Sequence, residues 1–304
     1  MAAWHGACWN GSVITTGQDK ELDKPSQEER ERRRSGNRNG DSKKWRYRAT
    51  LVLYGLWRAV GGAAYPDEIK FWDGILRTGS ALVFDPKVRA MAVPAELRRC
   101  AVELATELHR PPRLLEVGSG PLSLLAGAVD EGLCTVVAVD PLARVYRHLL
   151  DRYGIAYPIR PRVGHGERLT QAFPRASFDL VYSSNALDHT RSPRRCLEQI
   201  CQVLRPGGFL LLEGLEREGT AEHWNGLHQH DLLIDRRRRL LHFDRAGRRT
   251  DLTAGLPLVC VTAHVSLFRE RGIEAFGYEL PAGMPSDAPW NWQLRPWYAV
   301  LFRR

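Results

Sequence analysis

The sequence predicts an α/β fold with a mostly parallel sheet, because apolar strand patterns alternate with helical ones. Residues 114–117 form a short apolar run with prolines before it and glycines after it, which is typical of a buried parallel strand. Residues 135–139 form a second, β-branched run, and the apolar residues at 122–129 between the two favour a helix. This order indicates parallel strands joined by crossover helices.

The turn after the first strand has the features of a cradle for a nucleotide cofactor. Gly118 and Gly120 allow the backbone to turn sharply and to approach a ligand where any Cβ would intrude. Asp140 closes the second strand about 20 residues later, where an acidic side chain accepts hydrogen bonds from ribose hydroxyls. Dinucleotide-binding oxidoreductases share this geometry, so the two strands by themselves leave more than one cofactor open.

The rest of the chain continues the alternation of helices and strands. The periodicity predicts helices over residues 94–110, 142–153 and 194–204. It predicts further strands over residues 157–163, 209–213 and 297–302, a strand that begins at residue 178, a hairpin over 240–250, and a strand running into a helix over 258–272. The region between the fifth strand and the hairpin, 218–232, is expected to be a polar loop.

The net charge of +9 raises the question of a nucleic-acid partner. Six of the 44 basic residues are lysine, and the arginines are scattered along the chain apart from a run at 236–239. A solvated turn explains such a run as well as a nucleic-acid contact does. The charge therefore makes nucleic acid a minor alternative.

Three domains are expected from the change of composition along the chain. Residues 1–45 are charged and polar, which predicts a disordered tail, and the apolar, aromatic residues of 46–93 predict an N-terminal helical cap. The main domain is expected over 94–304. No apolar run has the length of a membrane span, no secretory signal is recognisable, and the six cysteines show no disulfide or metal spacing. These features favour a cytoplasmic protein without a membrane partner.

Two motifs resemble those of class I S-adenosylmethionine (SAM)-dependent methyltransferases. EVGSG at 116–120 resembles the family's first motif, and LRPGGFLLL at 204–212 resembles its fifth-strand motif. The resemblance covers about 112–213 and is nearest to the bacterial small-molecule type, although Leu122 stands where the family has a third glycine. It implies a Rossmann-like, seven-stranded, mostly parallel sheet with helices on both faces.

The resemblance also implies SAM as the cofactor and a set of residues that bind it. His165 stands where the family carries an acidic residue toward the adenine, so Glu167 or nearby backbone groups are expected to make that contact. The implied cofactor-binding residues are Glu116, Gly118, Ser119, Gly120, Asp140, Pro141, Gly166, Glu167 and Asn185.

The loop that leaves the fourth strand carries the candidate catalytic residues. Ligands of open α/β sheets bind at the carboxyl ends of the strands, which places Asn185, Asp188 and His189 beside the methyl donor. A neutral imidazole can accept a proton at neutral pH, so His189 is the candidate general base, with Asp188 as its partner. The structural alternative is that His189 packs against, or caps, the following helix.

The polar loop and the cap supply candidate substrate contacts. These are Trp72 in the cap and His223, Trp224, His228 and His230 in the loop. His223, His228 and His230, together with Asp231, could instead hold a metal, but their spacing is not distinctive, and we expect no metal site.

The expected function is methyl transfer from SAM to a small-molecule acceptor, with an O-linked acceptor in a glycan or secondary metabolite as the first choice. An RNA methyltransferase is the alternative enzyme, and a non-catalytic SAM-binding scaffold is the alternative outside catalysis. The sequence leaves the oligomeric state open.

Overall fold

The computed structural model describes residues 65–79, 85–267 and 295–304. The predicted tail, the first part of the predicted cap and the helix expected after residue 267 lie outside these ranges, so those expectations stay predictions.

Ten strands and eight α-helices are present in the described residues. The strands are β1 (Arg113–Val117), β2 (Thr135–Asp140), β3 (Arg162–Val163), β4 (Phe178–Ser184), β5 (Leu204–Leu215), β6 (Asp231–Ile234), β7 (Leu240–Phe243), β8 (Arg249–Asp251), β9 (Val259–Leu267) and β10 (Pro296–Arg303). The helices are α1 (Tyr65–Thr78), α2 (Pro86–Ala92), α3 (Ala95–Leu108), α4 (Ala126–Asp130), α5 (Ala143–Arg152), α6 (Leu169–Ala172), α7 (Pro193–Val203) and α8 (Glu218–Ala221), with 3₁₀ turns at Gly166–Arg168 and Leu187–His189. None of these helices combines the length and apolarity needed to cross a bilayer.

The main sheet confirms the predicted seven-stranded, mostly parallel topology. Its strand order is β3-β2-β1-β4-β5-β10-β9, with β1 to β5 parallel and β10 antiparallel to both β5 and β9. The chain order reverses between the neighbouring strands β1 and β4. A crevice for a ligand is expected at such a reversal, outside the carboxyl ends of the strands.

Side chains of the central strands alternate between two cores. Leu114 packs with Leu97 of α3 and Leu149 of α5 on one face, and Leu115 packs with Leu197 of α7 on the other. All four leucines are fully buried. Helices therefore cover both faces of the sheet, as the resemblance implies, and this explains why the central strands are apolar runs without alternation.

The helix after β1 is shorter than predicted. Helix α4 begins at Ala126, four residues later than the expected start at Leu122. The Ser123 hydroxyl accepts the Leu125 amide at 3.1 Å and donates to Glu116, so this segment forms a turn fixed by side chains. A serine that bonds its own backbone in this way competes with helix formation.

The third and fifth strands also differ from prediction. Only Arg162 and Val163 of the expected 157–163 strand pair with β2, because Pro158 and Pro161 have no amide to donate to a ladder. β5 begins at Leu204, earlier than the expected Phe209, since the residues after α7 bond the end of the chain: Gly207 donates to the Arg304 carbonyl at 2.7 Å.

The region after β5 folds more than expected. The hairpin predicted over 240–250 is confirmed by the antiparallel pair β7 and β8. The predicted polar loop, however, contains helix α8 and strand β6, and β6 joins the hairpin in a separate three-stranded sheet. Leu232 of β6 and Leu240 of β7 are buried in the same core as Leu197 of α7, which anchors this sheet to the main domain.

Helices α2 and α4 meet backbone to backbone at Gly127. A Cβ at this position would lie 2.3 Å from the Arg89 carbonyl oxygen and 2.7 Å from the Ala90 Cα. We therefore expect Gly127→Ala to lower the free energy of unfolding by about 1–3 kcal/mol in urea denaturation, because neither backbone can move without strain.

Gly74→Ala is the control: its Cβ would meet nothing within 4 Å, and within helix α1 alanine should be neutral or stabilising by up to ~1 kcal/mol. Equal effects of the two substitutions would contradict this account of the contact.

Candidate active site

A cavity of about 980 Å³ opens at the carboxyl ends of β1 and β4, where the strand order reverses. Its walls come from the turn after β1, the end of β2, the loops after β3 and β4, helix α1 and the segment from Glu218 to His228. The volume lies at the upper end of the range for small-molecule sites, and the position is the one expected from the topology.

Gly118 is required by the packing of the protein itself. Its φ is +75°, a backbone conformation that residues other than glycine rarely adopt. A Cβ there would lie 2.3 Å from the Ala186 Cβ in the loop after β4. The amides of Gly118 and Ser119 donate to the Val139 carbonyl at 2.9 and 3.3 Å. The prediction that the glycine keeps space free for a ligand is therefore incomplete, because Gly118 first lets two loops meet.

Two buried carboxyls lie on the cradle side of the cavity. Glu116 accepts bonds from the Ser123 hydroxyl and the Leu124 amide, and burial raises its pKa to about 8 against the effect of these bonds. Asp140 accepts the Leu142 amide at 2.7 Å and the Gly120 amide at 3.1 Å, and burial raises its pKa to about 7. Each carboxyl thus fixes a turn and also lines the cavity.

The other predicted cofactor-binding residues, Ser119, Pro141, Gly166, Glu167 and Asn185, line the same cavity. Two of them also fix the surrounding loops. The Asn185 side-chain oxygen accepts the Leu215 amide at 3.0 Å, and Glu167 accepts the Arg191 amide at 2.8 Å. His165, the departure from the family pattern, lines the cavity as well.

Asp188, His189 and His228 form a compact cluster on the other side of the cavity, which we call the acceptor-side cluster. Asp188 Oδ2 lies 3.0 Å from His228 Nδ1 and 3.3 Å from His189 Nε2, and the two ring nitrogens are 3.2 Å apart. The Gln229 amide donates to the Asp188 carbonyl at 3.2 Å, which holds the His228 segment against the 3₁₀ turn. The sequence paired Asp188 with His189, but it did not place His228 beside them.

The protonation of Asp188 and that of His228 depend on each other. Burial disfavours the ionised form of Asp188, but the His189 charge and the His228 hydrogen bond outweigh it and hold its pKa below the ordinary value. Burial likewise disfavours protonation of His228, yet its bond to Asp188 and the charge of Asp188 raise its pKa. Asp188 is therefore a carboxylate at neutral pH.

Glu218 and Arg295 border the cluster and were missed by sequence reasoning. Glu218 Oε1 lies 3.8 Å from His228 Nδ1, and both oxygens of Glu218 accept from the Arg295 guanidinium at 3.3 and 3.2 Å. Burial and the charge of Asp188 raise the pKa of Glu218 to about 7. Because these two residues are 77 positions apart, no local pattern could have paired them.

The candidate substrate residues divide into two groups. Trp72 and His228 line the cavity, whereas His223, Trp224 and His230 do not. His230 instead bonds His242 at 2.8 Å and the Thr190 carbonyl at 2.8 Å.

The four residues considered above as metal ligands do not come together either. Asp231, its fourth member, bonds Thr220 at 2.8 and 2.5 Å, and His228 faces Asp188 rather than His230. His223, His228, His230 and Asp231 therefore do not share a centre.

Strand order, glycine turn and cavity together define an α/β protein that binds a nucleotide-type cofactor at the carboxyl edge of its sheet. The comparison of sequences gives a more specific result. Residues 115–212 match the family model described as a methyltransferase domain. This stretch of the chain is thus similar to a methyltransferase domain, in agreement with the resemblance of its motifs to the SAM-dependent family.

Individual relatives match over about a third of this chain. An uncharacterized methyltransferase of Mycobacterium tuberculosis is 37% identical over 97 residues, which are 32% of this chain and 47% of the relative. A tRNA U34 carboxymethyltransferase of Mannheimia succiniciproducens is 32% identical over 118 residues, 36% of this chain and 34% of the relative. The chain therefore spans about half or less of the length of these curated relatives.

Among solved structures, the 1,6-didemethyltoxoflavin-N1-methyltransferase of Burkholderia thailandensis is similar at 19% identity and a TM-score of 0.40, over 84% of this chain and 89% of that protein.

The raised carboxyl pKa values should make stability depend on pH. Glu116 releases its proton near pH 4.5 in the unfolded chain but near 8 in the folded one, so the folded state is disfavoured progressively as the pH rises through this window. Asp140 acts in the same direction between 3.8 and about 7. We expect the melting temperature of the ligand-free protein to fall between pH 5 and 8, and Glu116→Gln to flatten that fall in differential scanning fluorimetry.

Glu131→Gln is the control for this measurement. The Arg98 bond lowers the pKa of Glu131, so its contribution to stability is already complete above about pH 4.5 and adds no slope between pH 5 and 8. A wild-type melting temperature that rises over this range would contradict the assignment of Glu116 and Asp140 as buried, protonated groups.

Proposed function

We propose that the protein transfers the methyl group of SAM to a small-molecule acceptor, with an acceptor oxygen as the first choice. The observation that carries the proposal is a single cavity with a cofactor cradle on one side and the proton-binding acceptor-side cluster on the other. Asp140 of the cradle and His189 of the cluster line the same cavity.

The cradle side fits SAM by the chemistry of its groups. Asp140 lies at the end of β2, where a carboxyl reaches ribose hydroxyls, and Glu116 and Asn185 line the same cavity. When bound, SAM supplies a sulfonium methyl group that is open to in-line attack. The protein contributes mainly alignment, which can account for a large part of the rate enhancement.

The acceptor-side cluster is suited to handle the proton of an acceptor. We propose His189 as the general base and Asp188 as its positioning partner, because both lie on the 3₁₀ turn at the cavity wall. His228 shares the same Asp188 oxygen, and Trp72, which lies beside Gly120, adds an aromatic ring to the lining of the cavity. Such a cluster favours an acceptor that loses a proton, as a hydroxyl does.

RNA is the second candidate acceptor, and one relative supports it. The likeness to a tRNA U34 carboxymethyltransferase extends over 36% of this chain, a length close to that of the cofactor-binding domain, so it bears weakly on the acceptor. The cavity, in contrast, has the size of a small-molecule site, which favours a small acceptor.

The cofactor proposal is tested by calorimetry. We expect SAM and its demethylated product to bind and raise the melting temperature by mass action, and NADH not to bind. Asp140→Asn should weaken SAM binding by about 10-fold or more, since its amide nitrogen cannot accept a hydrogen bond where one of the two Asp140 oxygens accepts a cradle amide. Asp130→Asn, at an exposed carboxylate that pairs with Arg89, should leave SAM affinity unchanged. Binding of NADH but not of SAM would overturn the proposal.

The acceptor class and the base are tested together with methyl-labelled SAM and cell extracts fractionated into small molecules, RNA and protein. We expect label in the small-molecule fraction. His189→Ala should lower turnover by about 10²–10⁴-fold and leave SAM affinity intact, because a general base acts on the acceptor. His223→Asn, which keeps a residue tolerant of φ +54° outside the cavity, is the control. Label in RNA would establish the alternative, and full activity of His189→Ala would place the base elsewhere.

A further inference from the structure

The three contacts within the acceptor-side cluster cannot all be hydrogen bonds. A ring nitrogen of imidazole either donates or accepts, and the Asp188 carboxylate only accepts. If both nitrogens carry protons, both reach Asp188 Oδ2 but oppose each other at 3.2 Å. If one is unprotonated, its lone pair faces the carboxylate oxygen at 3.0 or 3.3 Å. With Asp188 ionised, every arrangement of protons on the two rings therefore leaves one repulsive contact.

The second histidine pair of this region shows that the frustration is particular to the cluster. His230 Nε2 donates to the Thr190 carbonyl at 2.8 Å, which leaves Nδ1 as an acceptor for His242 Nε2 at 2.8 Å. One tautomer of each ring satisfies both contacts. Protons alone can therefore make both contacts of His230 favourable. They cannot make all three contacts among Asp188, His189 and His228 favourable.

A single divalent cation would satisfy all three contacts at once. Bonds of about 2.0–2.2 Å from nitrogen and oxygen to one ion place neighbouring ligand atoms roughly 2.9–3.5 Å apart. The three separations in the cluster, 3.0, 3.2 and 3.3 Å, all lie within that interval. Two imidazoles and one carboxylate are also the ligand set that zinc and divalent iron use in proteins.

The surroundings suit an ion with open coordination positions. The side chains of His189 and His228 are 18% and 25% exposed and line the cavity, whereas that of Asp188 is 6% exposed and buried behind them. Glu218 lies next to the cluster but is held by the Arg295 guanidinium. An ion here would have three protein ligands and free positions toward the cavity, as in catalytic metal sites.

We propose that Asp188 Oδ2, His189 Nε2 and His228 Nδ1 bind one divalent transition-metal ion on the acceptor side of the cavity. The further statement that the ion's open positions bind an oxygen of the acceptor rests on the proposed function. With the ion bound, it replaces the role of His189 as general base, because the Nε2 lone pair that would accept the proton is then a metal ligand. The binding of the ion itself does not rest on the proposed function, because it follows from the three ligand atoms alone.

The test is metal binding to the full-length, untagged protein after treatment with EDTA. We expect one Co²⁺ per chain by its d–d absorption, displaced by one equivalent of Zn²⁺, and the same stoichiometry in calorimetry with Zn²⁺. His189→Gln and His228→Gln should each weaken binding by more than about 100-fold, because loss of even an outer partner of a metal ligand costs 10–100-fold. Melting curves of both variants establish that they fold.

His242→Asn is the matched control, since it removes an imidazole from the neighbouring, satisfied pair. It should leave metal affinity unchanged. Absence of binding to the wild-type protein, retained binding in both glutamine variants, or loss of binding in His242→Asn would each overturn the proposal.

SAM titrations of the same samples separate this inference from the proposed function. Metal binding without SAM binding leaves the ion site standing and overturns the methyltransferase proposal. SAM binding and EDTA-insensitive methyl transfer without metal binding do the reverse.

Discussion

The close approach of the loops after β1 and β4 determines how this protein can bind ligands. Gly118 and Ala186 lie so near each other that a Cβ on the glycine would be 2.3 Å from that of the alanine. This contact brings the cradle after β1 and the 3₁₀ turn after β4 to the same crevice. Because parallel strands end at one edge, the order reversal between β1 and β4 leaves room above this contact, and the cavity occupies it.

The four buried carboxyls around the cavity differ in charge because their partners differ. Glu116 and Asp140 are surrounded by backbone amides and hydroxyls, and burial raises their pKa to about 8 and about 7. Asp188 faces two imidazoles that outweigh its burial, so it is ionised, and its charge in turn helps raise the pKa of Glu218. Negative charge is thus concentrated at Asp188, beside the groups that can accept a proton or a cation.

Local spacing sufficed to predict the cradle, whereas the acceptor side depends on long-range folding. Glu116, Gly118 and Asp140 belong to one strand–turn–helix–strand unit, and the parallel sheet brings them together in any protein with that pattern. His228 reaches Asp188 because the 218–232 segment forms α8 and β6, which the polar composition of that segment concealed. The misplaced start of α4 has a similar cause, since a single hydroxyl, that of Ser123, outweighs the apolar periodicity.

The division between the two sides of the cavity also follows the extent of the family match. The match over 115–212 includes Glu116, Asp140 and the turn with Asp188 and His189, but it ends before Glu218, His228 and Arg295. The groups that complete the acceptor side therefore come from the part of the chain that lies beyond this match. The carboxylate of Asp188 and the imidazole of His189 on the β4 turn are joined by a second imidazole, that of His228, only through this later segment.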